Sequence, residues 1–139
     1  MTDTREMLDA SPNGVPVDAA DLAAAIDACL SCVQSCTTCA DADLAEPDVA
    51  EMSDCIAMCV MCADVCWTTA RALSRPAHWD RLVVVPLLEA CIRTCTGSAE
   101  ECARHHHHRH CAICEGICRA CVAACTVLLQ ADALQGAAG

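Results

Sequence analysis

Four stretches of this 139-residue chain place cysteines at steps of three and four residues. CLSCVQSCTTC carries Cys29, Cys32, Cys36 and Cys39, and CIAMCVMCADVC carries Cys55, Cys59, Cys62 and Cys66. CIRTCTGSAEEC carries Cys91, Cys95 and Cys102, with Ser98 where a fourth thiol would fall. CAICEGICRACVAAC carries Cys111, Cys114, Cys118, Cys121 and Cys125, and no cysteine lies outside these runs. A thiolate is a soft donor for ions such as Cu(I) and Zn(II), and a thiol is also a redox group. The chemistry on offer is therefore metal ligation or thiol–disulfide exchange.

A second set of donors adjoins the thiols. HHHHRH supplies His105, His106, His107, His108 and His110 between Cys102 and Cys111. His105 and His106 lie three and four residues beyond Cys102, and His107 and His108 lie four and three before Cys111. Those four are the expected ligands of the run. Met52 precedes Cys55 by three residues, which allows a weak thioether contact. His78, Trp67 and Trp79 read as packing or surface residues.

Steps of three and four bring side chains to one face of a helix with about 3.6 residues per turn, so each run is a helix lined with sulfur. Asp18, with Asp21 three residues on, caps a first helix that runs to about Leu44. Pro47 suits the first turn of a second helix, which passes through Cys66 and Leu73 and stops near Pro76. A third opens at Pro86, or follows a short turn from Trp79 to Val85, and ends near Arg104. After the histidine turn a fourth covers about Cys111 to Leu129. Pro12, Gly14 and Pro16 mark residues 1–16 as a flexible tail, and 17–139 as a single domain. With short connections and no alternating β pattern, the expected fold is all-α, an antiparallel up-down four-helix bundle with a Cys-lined core.

Antiparallel topology sorts the ends. One end collects Cys39, Met52, Cys55, Cys102, the histidines and Cys111. The other collects Cys29, Cys66, Cys91 and Cys125, followed outward by Leu22, Ile26, Ala70, Leu73, Leu87, Leu88, Leu128 and Leu129.

The composition excludes several partners. A formal charge of −11 argues against nucleic acid and anionic membrane, both of which call for concentrated Lys and Arg. No run approaches the roughly 18 uninterrupted apolar residues of a spanning helix, and LVVVPLL from Leu82 is far shorter. The opening MTDTREMLDASPNGVP has no basic region followed by an apolar one, so a cytoplasmic location is expected, where thiols stay reduced.

Sixteen cysteines in place of aliphatics are not explained by burial alone, because Leu or Val would remove more apolar area from water. No cysteine is followed by proline as in a common iron–sulfur motif, and Glu101 has Arg104 rather than His at the third position, so a di-iron carboxylate site is absent. An all-sulfur tube suits Cu(I), which accepts two or three shared sulfurs, with Zn(II) as main competitor and a thiol redox buffer as the alternative of another class. Uncompensated thiolates are costly inside a bundle, so the empty protein holds mostly neutral thiols, and filling near one Cu(I) per thiolate keeps the core neutral.

The pattern C-x-x-C-x-x-x-C-x-x-C at Cys29 to Cys39, the stripe Cys55 to Cys66, the run Cys111 to Cys125 and the histidine turn before Cys111 together resemble one family. That family is the cytosolic, cysteine-lined four-helix-bundle copper storage proteins of bacteria. The resemblance spans about residues 18 to 130. It implies non-enzymatic storage of many Cu(I) ions along the core and entry and exit at the histidine end. It also implies a homotetramer, with a copper chaperone as a candidate donor. Ser98 departs from the full stripe, and the layer it interrupts is expected to rely on Cys36, Cys59 and Cys118 or Cys114.

Overall fold

In the computed structural model, which describes residues 3–136, five α-helices follow in order: α1 (Thr4–Asp9), α2 (Ala19–Ala45), α3 (Ser53–Leu73), α4 (Arg81–Ala103) and α5 (Arg109–Leu129). There is no strand among the described residues. α2 packs on α3 and α5, and α4 packs on the same two, so the long helices form a ring in chain order, an up-down bundle.

The caps explain the boundaries. The Asp18 carboxylate accepts the Asp21 backbone N–H at 3.0 Å, satisfying one of the free donors of the first turn of α2. α2 stops because Glu46 precedes Pro47 and is held extended, at φ −76° and ψ 144°. Pro47 does not open the next helix as its position had suggested. It belongs to a link with a 3₁₀ turn at Val49–Glu51, and α3 begins only at Ser53. α4 likewise begins before Pro86, because the Asp80 side chain accepts from Leu82 N at 2.9 Å and caps a helix that starts at Arg81, five residues earlier. Pro86 then sits inside the helix and leaves the Leu82 carbonyl without its helical donor.

The expected flexible tail is corrected by a short helix. Thr4–Asp9 is helical, Leu8 is buried, and Thr4 Oγ1 donates to Asp27 Oδ1 at 2.6 Å. Leu8 has a docking surface that no local pattern reveals. It lines, with Met7, Ile26, Leu30 and Pro76, a groove of about 740 Å³ between α1, α2 and the α3–α4 link. Residues 1 and 2 of that tail and 137–139 of the domain lie outside the described residues.

The expectation of no membrane-length apolar segment also needs correcting. By length and mean hydropathy, all four long helices qualify as candidate spans, at 1.3, 1.4, 1.4 and 1.8. The values are high because cysteine and alanine score as apolar. The cysteine stripes, however, are buried against one another inside the bundle.

Packing at the closed end follows the sequence reading. Leu22, Leu73, Leu88 and Leu128, each at most 1% exposed, fill the bundle beyond the last thiols. Ile26, Ala70 and Val84 join them, while Leu87 and Leu129 are only half-buried. Thr69 is accommodated there because its hydroxyl donates to the Val65 carbonyl at 2.7 Å.

Candidate metal centre

All sixteen cysteines are buried and free. Their sulfurs line the core from end to end, with touching pairs 3.4 to 4.0 Å apart. At the aliphatic end Cys29 lies 3.8 Å from Cys91, Cys121 and Cys125. Cys66 then bridges to Cys91 at 3.7 Å and Cys95 at 3.4 Å. Cys32 in the middle touches Cys62 at 3.7 Å, Cys95 at 3.8 Å, Cys118 at 3.6 Å and its own-helix neighbour Cys36 at 3.8 Å. Cys36 continues to Cys114 at 3.7 Å, Cys59 reaches Cys102 at 3.9 Å, and Cys55 reaches Cys102 at 4.0 Å. Cys39 and Cys111, 3.8 Å apart, complete the array at the histidine end.

Ser98 lies in the gap its position foretold. Its hydroxyl is 3.7 Å from Cys36, 3.8 Å from Cys59 and 3.6 Å from Cys118, so oxygen stands at a node otherwise made of sulfur.

These spacings match the needs of soft ions. Ions about 2.3 Å from each sulfur sit within tetrahedra of edge about 3.8 Å. Groups of four fit this, such as Cys29, Cys91, Cys121 and Cys125, or Cys39, Cys55, Cys59 and Cys102. The groups overlap, however. Cys66, Cys91, Cys95 and Cys121 form another group that borrows two members from the first, and Cys32 and Cys62 belong to two groups. Private tetrathiolate sites cannot all be filled at once, whereas an ion that shares sulfurs can use every edge.

The protonation pattern is cooperative. Burial disfavours a thiolate, but a thiolate that accepts S–H bonds from its neighbours is stabilised, and the donors become harder to ionise. Hydrogen bonding with Cys114, then Cys118, raises Cys36, and hydrogen bonding with Cys121 is the leading cause that raises Cys66 and Cys125. Neighbours lower Cys91, led by Cys121, and Cys114, led by Cys102; Cys29 falls to about 6, chiefly through Cys121 and Cys125. A few thiolates among neutral thiols is what a dry core without counter-charge can hold, and an entering cation releases the remaining protons.

The histidine end differs in detail from the sequence reading. His110, not His105 to His108, meets the thiols: its Nδ1 is 3.3 Å from Cys39 Sγ and 3.5 Å from Cys111 Sγ. His105 faces Glu101 at 3.3 Å, and exposed His106 faces the Ala103 carbonyl at 3.2 Å. His107 is exposed, 3.8 Å from Asp48. His108 is held by two carboxylates, Glu46 at 2.6 Å from Nδ1 and Asp48 at 3.0 Å from Nε2. The Asp48 hydrogen bond, reinforced by Coulomb attraction to Asp48 and Glu46, raises the His108 pKa, and Asp48 is lowered in turn. Met52 is fully buried at this end.

Acidic partners of this mouth escaped the sequence reading. Asp43 is fully buried, its Oδ1 3.5 Å from Cys111 Sγ and 3.7 Å from His110 Nδ1, and its Oδ2 has no hydrogen-bond partner among the described residues. Burial raises its pKa. A signal existed, since Asp43 continues the stripe of Cys36 and Cys39 by one more step of four. His110 had one too, being adjacent to Cys111, but residues at spacing one are not on one helical face. Here His110 reaches inward from the first turn of α5 rather than along a stripe.

The bundle and its array define a class of protein, the multi-thiol container for soft metal ions. The model of the copper storage protein family matches residues 18–130, and the chain belongs to that family. Among solved structures it is similar to the copper storage protein Ccsp of Streptomyces lividans loaded with ten copper equivalents. The TM-score there is 0.88 with 43% identity, covering 91% of this chain and 97% of that one. It is also similar to the same cytosolic protein carrying five coppers, with TM-score 0.77, 46% identity and 79% and 92% covered. A histidine-to-alanine variant of Ccsp gives 0.80 and 46%, covering 81% and 95%. No protein of curated function matches significantly in sequence.

Proposed function

We propose that this protein stores and buffers many Cu(I) ions on the thiolates of all sixteen cysteines, and that ions pass through the histidine mouth. The observation that carries the reading is the overlap of the four-sulfur groups along the core, which favours shared thiolates over separate sites. Each Cu(I) replaces one thiol proton by one positive charge, so a ratio near one ion per thiolate leaves the core neutral. Storage, not catalysis, is the reading: the family is one of storage proteins, and copper is cargo.

His110 is the ligand of the mouth in this reading, because its Nδ1 already stands within 3.5 Å of two sulfurs. A neutral imidazole competes less strongly than thiolate, so it hands an ion inward without trapping it. His105 and His108 shape the mouth, and His106 and His107 meet the ion only at its surface.

The same proposal extends to the assembly. Val60 and Trp67, seven residues apart on α3, are 49% and 51% exposed and give that helix an apolar outer face, as a homotetramer needs. The Streptomyces relative is described as cytosolic, and the same compartment, with a copper chaperone as donor, fits a chain of reduced thiols.

The test is titration of the reduced protein with Cu(I), read by mass under native conditions. Private pairs would saturate at eight ions, half of the sixteen cysteines, and private tetrathiolates at four. Saturation well above eight is expected, and saturation at four would support the Zn(II) reading instead. Native mass also gives the number of subunits, and a monomer would end the tetramer proposal.

A further inference from the structure

Four carboxylates, Asp43, Glu46, Asp48 and Glu101, surround a mouth whose cargo gains little from hard oxygen donors. Glu46 stands apart because one of its oxygens serves two imidazoles. Its Oε2 lies 3.1 Å from His110 Nε2 and 2.6 Å from His108 Nδ1. We infer that Glu46 is a positioning residue that sets the tautomer of His110, so that its Nδ1 lone pair points into the thiol array.

The argument rests on which atom each nitrogen faces. A carboxylate only accepts, so the His110 nitrogen that faces Glu46 carries the hydrogen. In the neutral ring the other nitrogen, Nδ1, then bears the lone pair; it stands 3.3 Å from Cys39 and 3.5 Å from Cys111, while the Asp43 carboxylate, 3.7 Å from Nδ1, is beyond hydrogen-bond distance and does not claim its hydrogen. Were the hydrogen on Nδ1 instead, two lone pairs would oppose each other at Nε2 and the ring would offer the entering cation a donor. A carboxylate behind a ligating imidazole also fixes its plane and raises its basicity.

His108 completes the arrangement without being a ligand. Its Nε2 donates to Asp48 and its Nδ1 lies against Glu46 Oε2, so carboxylates cover both nitrogens and neither is free for metal. It holds Glu46 in place by tying the α2–α3 link to the α4–α5 turn. The rings of His108 and His110 are near-parallel, at 7° with centroids 5.6 Å apart, as expected of two rings held by a common oxygen. Two neighbouring histidines thus divide the work: one meets copper, and the other holds the carboxylate that aims it.

The inference rests on the copper-storage reading, and the experiment separates the two. In copper-free protein, two-bond ¹H–¹⁵N spectra report the His110 tautomer, and stopped-flow transfer from a Cu(I) chelator reports entry of the first ions. Glu46→Leu removes the acceptor, whereas Glu46→Gln keeps a carbonyl oxygen there. With Leu, the His110 Nε2–H tautomer loses its dominance and first-ion uptake falls about 10- to 100-fold, the usual cost of losing such a partner. With Gln, tautomer and rate stay close to the parent, and in a His110→Ala background Glu46→Leu has no further effect on the rate. A wild-type His110 carrying its hydrogen on Nδ1 overturns the inference, as does an unchanged rate with Leu, or Gln behaving like Leu. Loss of loading in the parent protein itself would instead refute the storage reading.

Discussion

At the scale of the residue, the informative position is the one where sulfur is missing. Ser98 Oγ lies within 3.8 Å of three thiols on three other helices, so a sulfur there would join Cys36, Cys59 and Cys118 in one more shared site. Ser98→Cys is expected to raise the Cu(I) capacity by about one ion per chain with the fold unchanged, read by mass at saturation. No gain would mean that the layer already closes without that node. A second residue-scale expectation concerns His108. Its folded pKa is raised above 6.5, mainly by Asp48, so the clamp contributes stability fully below 6.5 and loses it as pH rises through the raised value. Ring-proton NMR of the copper-free protein should place its midpoint above 6.5, and Asp48→Asn should bring it back down. A wild-type midpoint at or below 6.5 would contradict the two-carboxylate geometry. The cysteines are legible in the sequence because they repeat at helical spacing, whereas the pairing of His110 with Glu46 is not. These two meet across a turn and a link, 64 residues apart along the chain, where no periodicity operates.

At the scale of the element, the long helices follow from their stripes, but their ends follow from competition between caps. Prolines 47 and 86 each mark a plausible first turn, yet Asp80 and the extended Glu46 decided where the helices begin and end. The helix α1 was illegible for another reason. Six residues cannot hold a helix alone in water, and this one persists because Leu8 and Thr4 dock on α2 and its neighbourhood. Full burial makes a Leu→Ala change cost about 2–5 kcal/mol, but here the loss falls on docking of α1 rather than on the bundle. Leu8→Ala is therefore expected to speed amide exchange in residues 5–10 at least tenfold while leaving the thermal midpoint of the bundle within a few degrees. A large drop in that midpoint would make α1 an integral part of the core.

At the scale of the whole molecule, the bundle is stable for ordinary reasons and unusual only in what fills it. Neutral thiols are small apolar groups, and Leu22, Leu73, Leu88 and Leu128 close one end, while Met52 packs beside the thiols at the other. The metal-free protein is expected to be fully helical by circular dichroism, unlike a zinc finger that folds only with its ion. Copper should then raise the thermal midpoint progressively, since it binds the native array and not the unfolded chain. A metal-free chain without helical signal would show that copper builds the fold.

The inequality of the two ends has a consequence for memory. With leucines at one end and donors at the other, the bundle is a blind shaft, and an ion inside it advances or retreats only by exchange with the sulfurs next to it. Its contents therefore keep the order of their arrival, the earliest ion resting against Leu22 and Leu88 and the latest beside His110. Such a store is expected to discharge newest first, with the oldest copper as a reserve drawn on last. Loading with one copper isotope, topping up with another and collecting the first ions withdrawn by a chelator would reveal the order. Release of the two isotopes in proportion to their amounts would mean that ions shuffle along the shaft faster than they leave it.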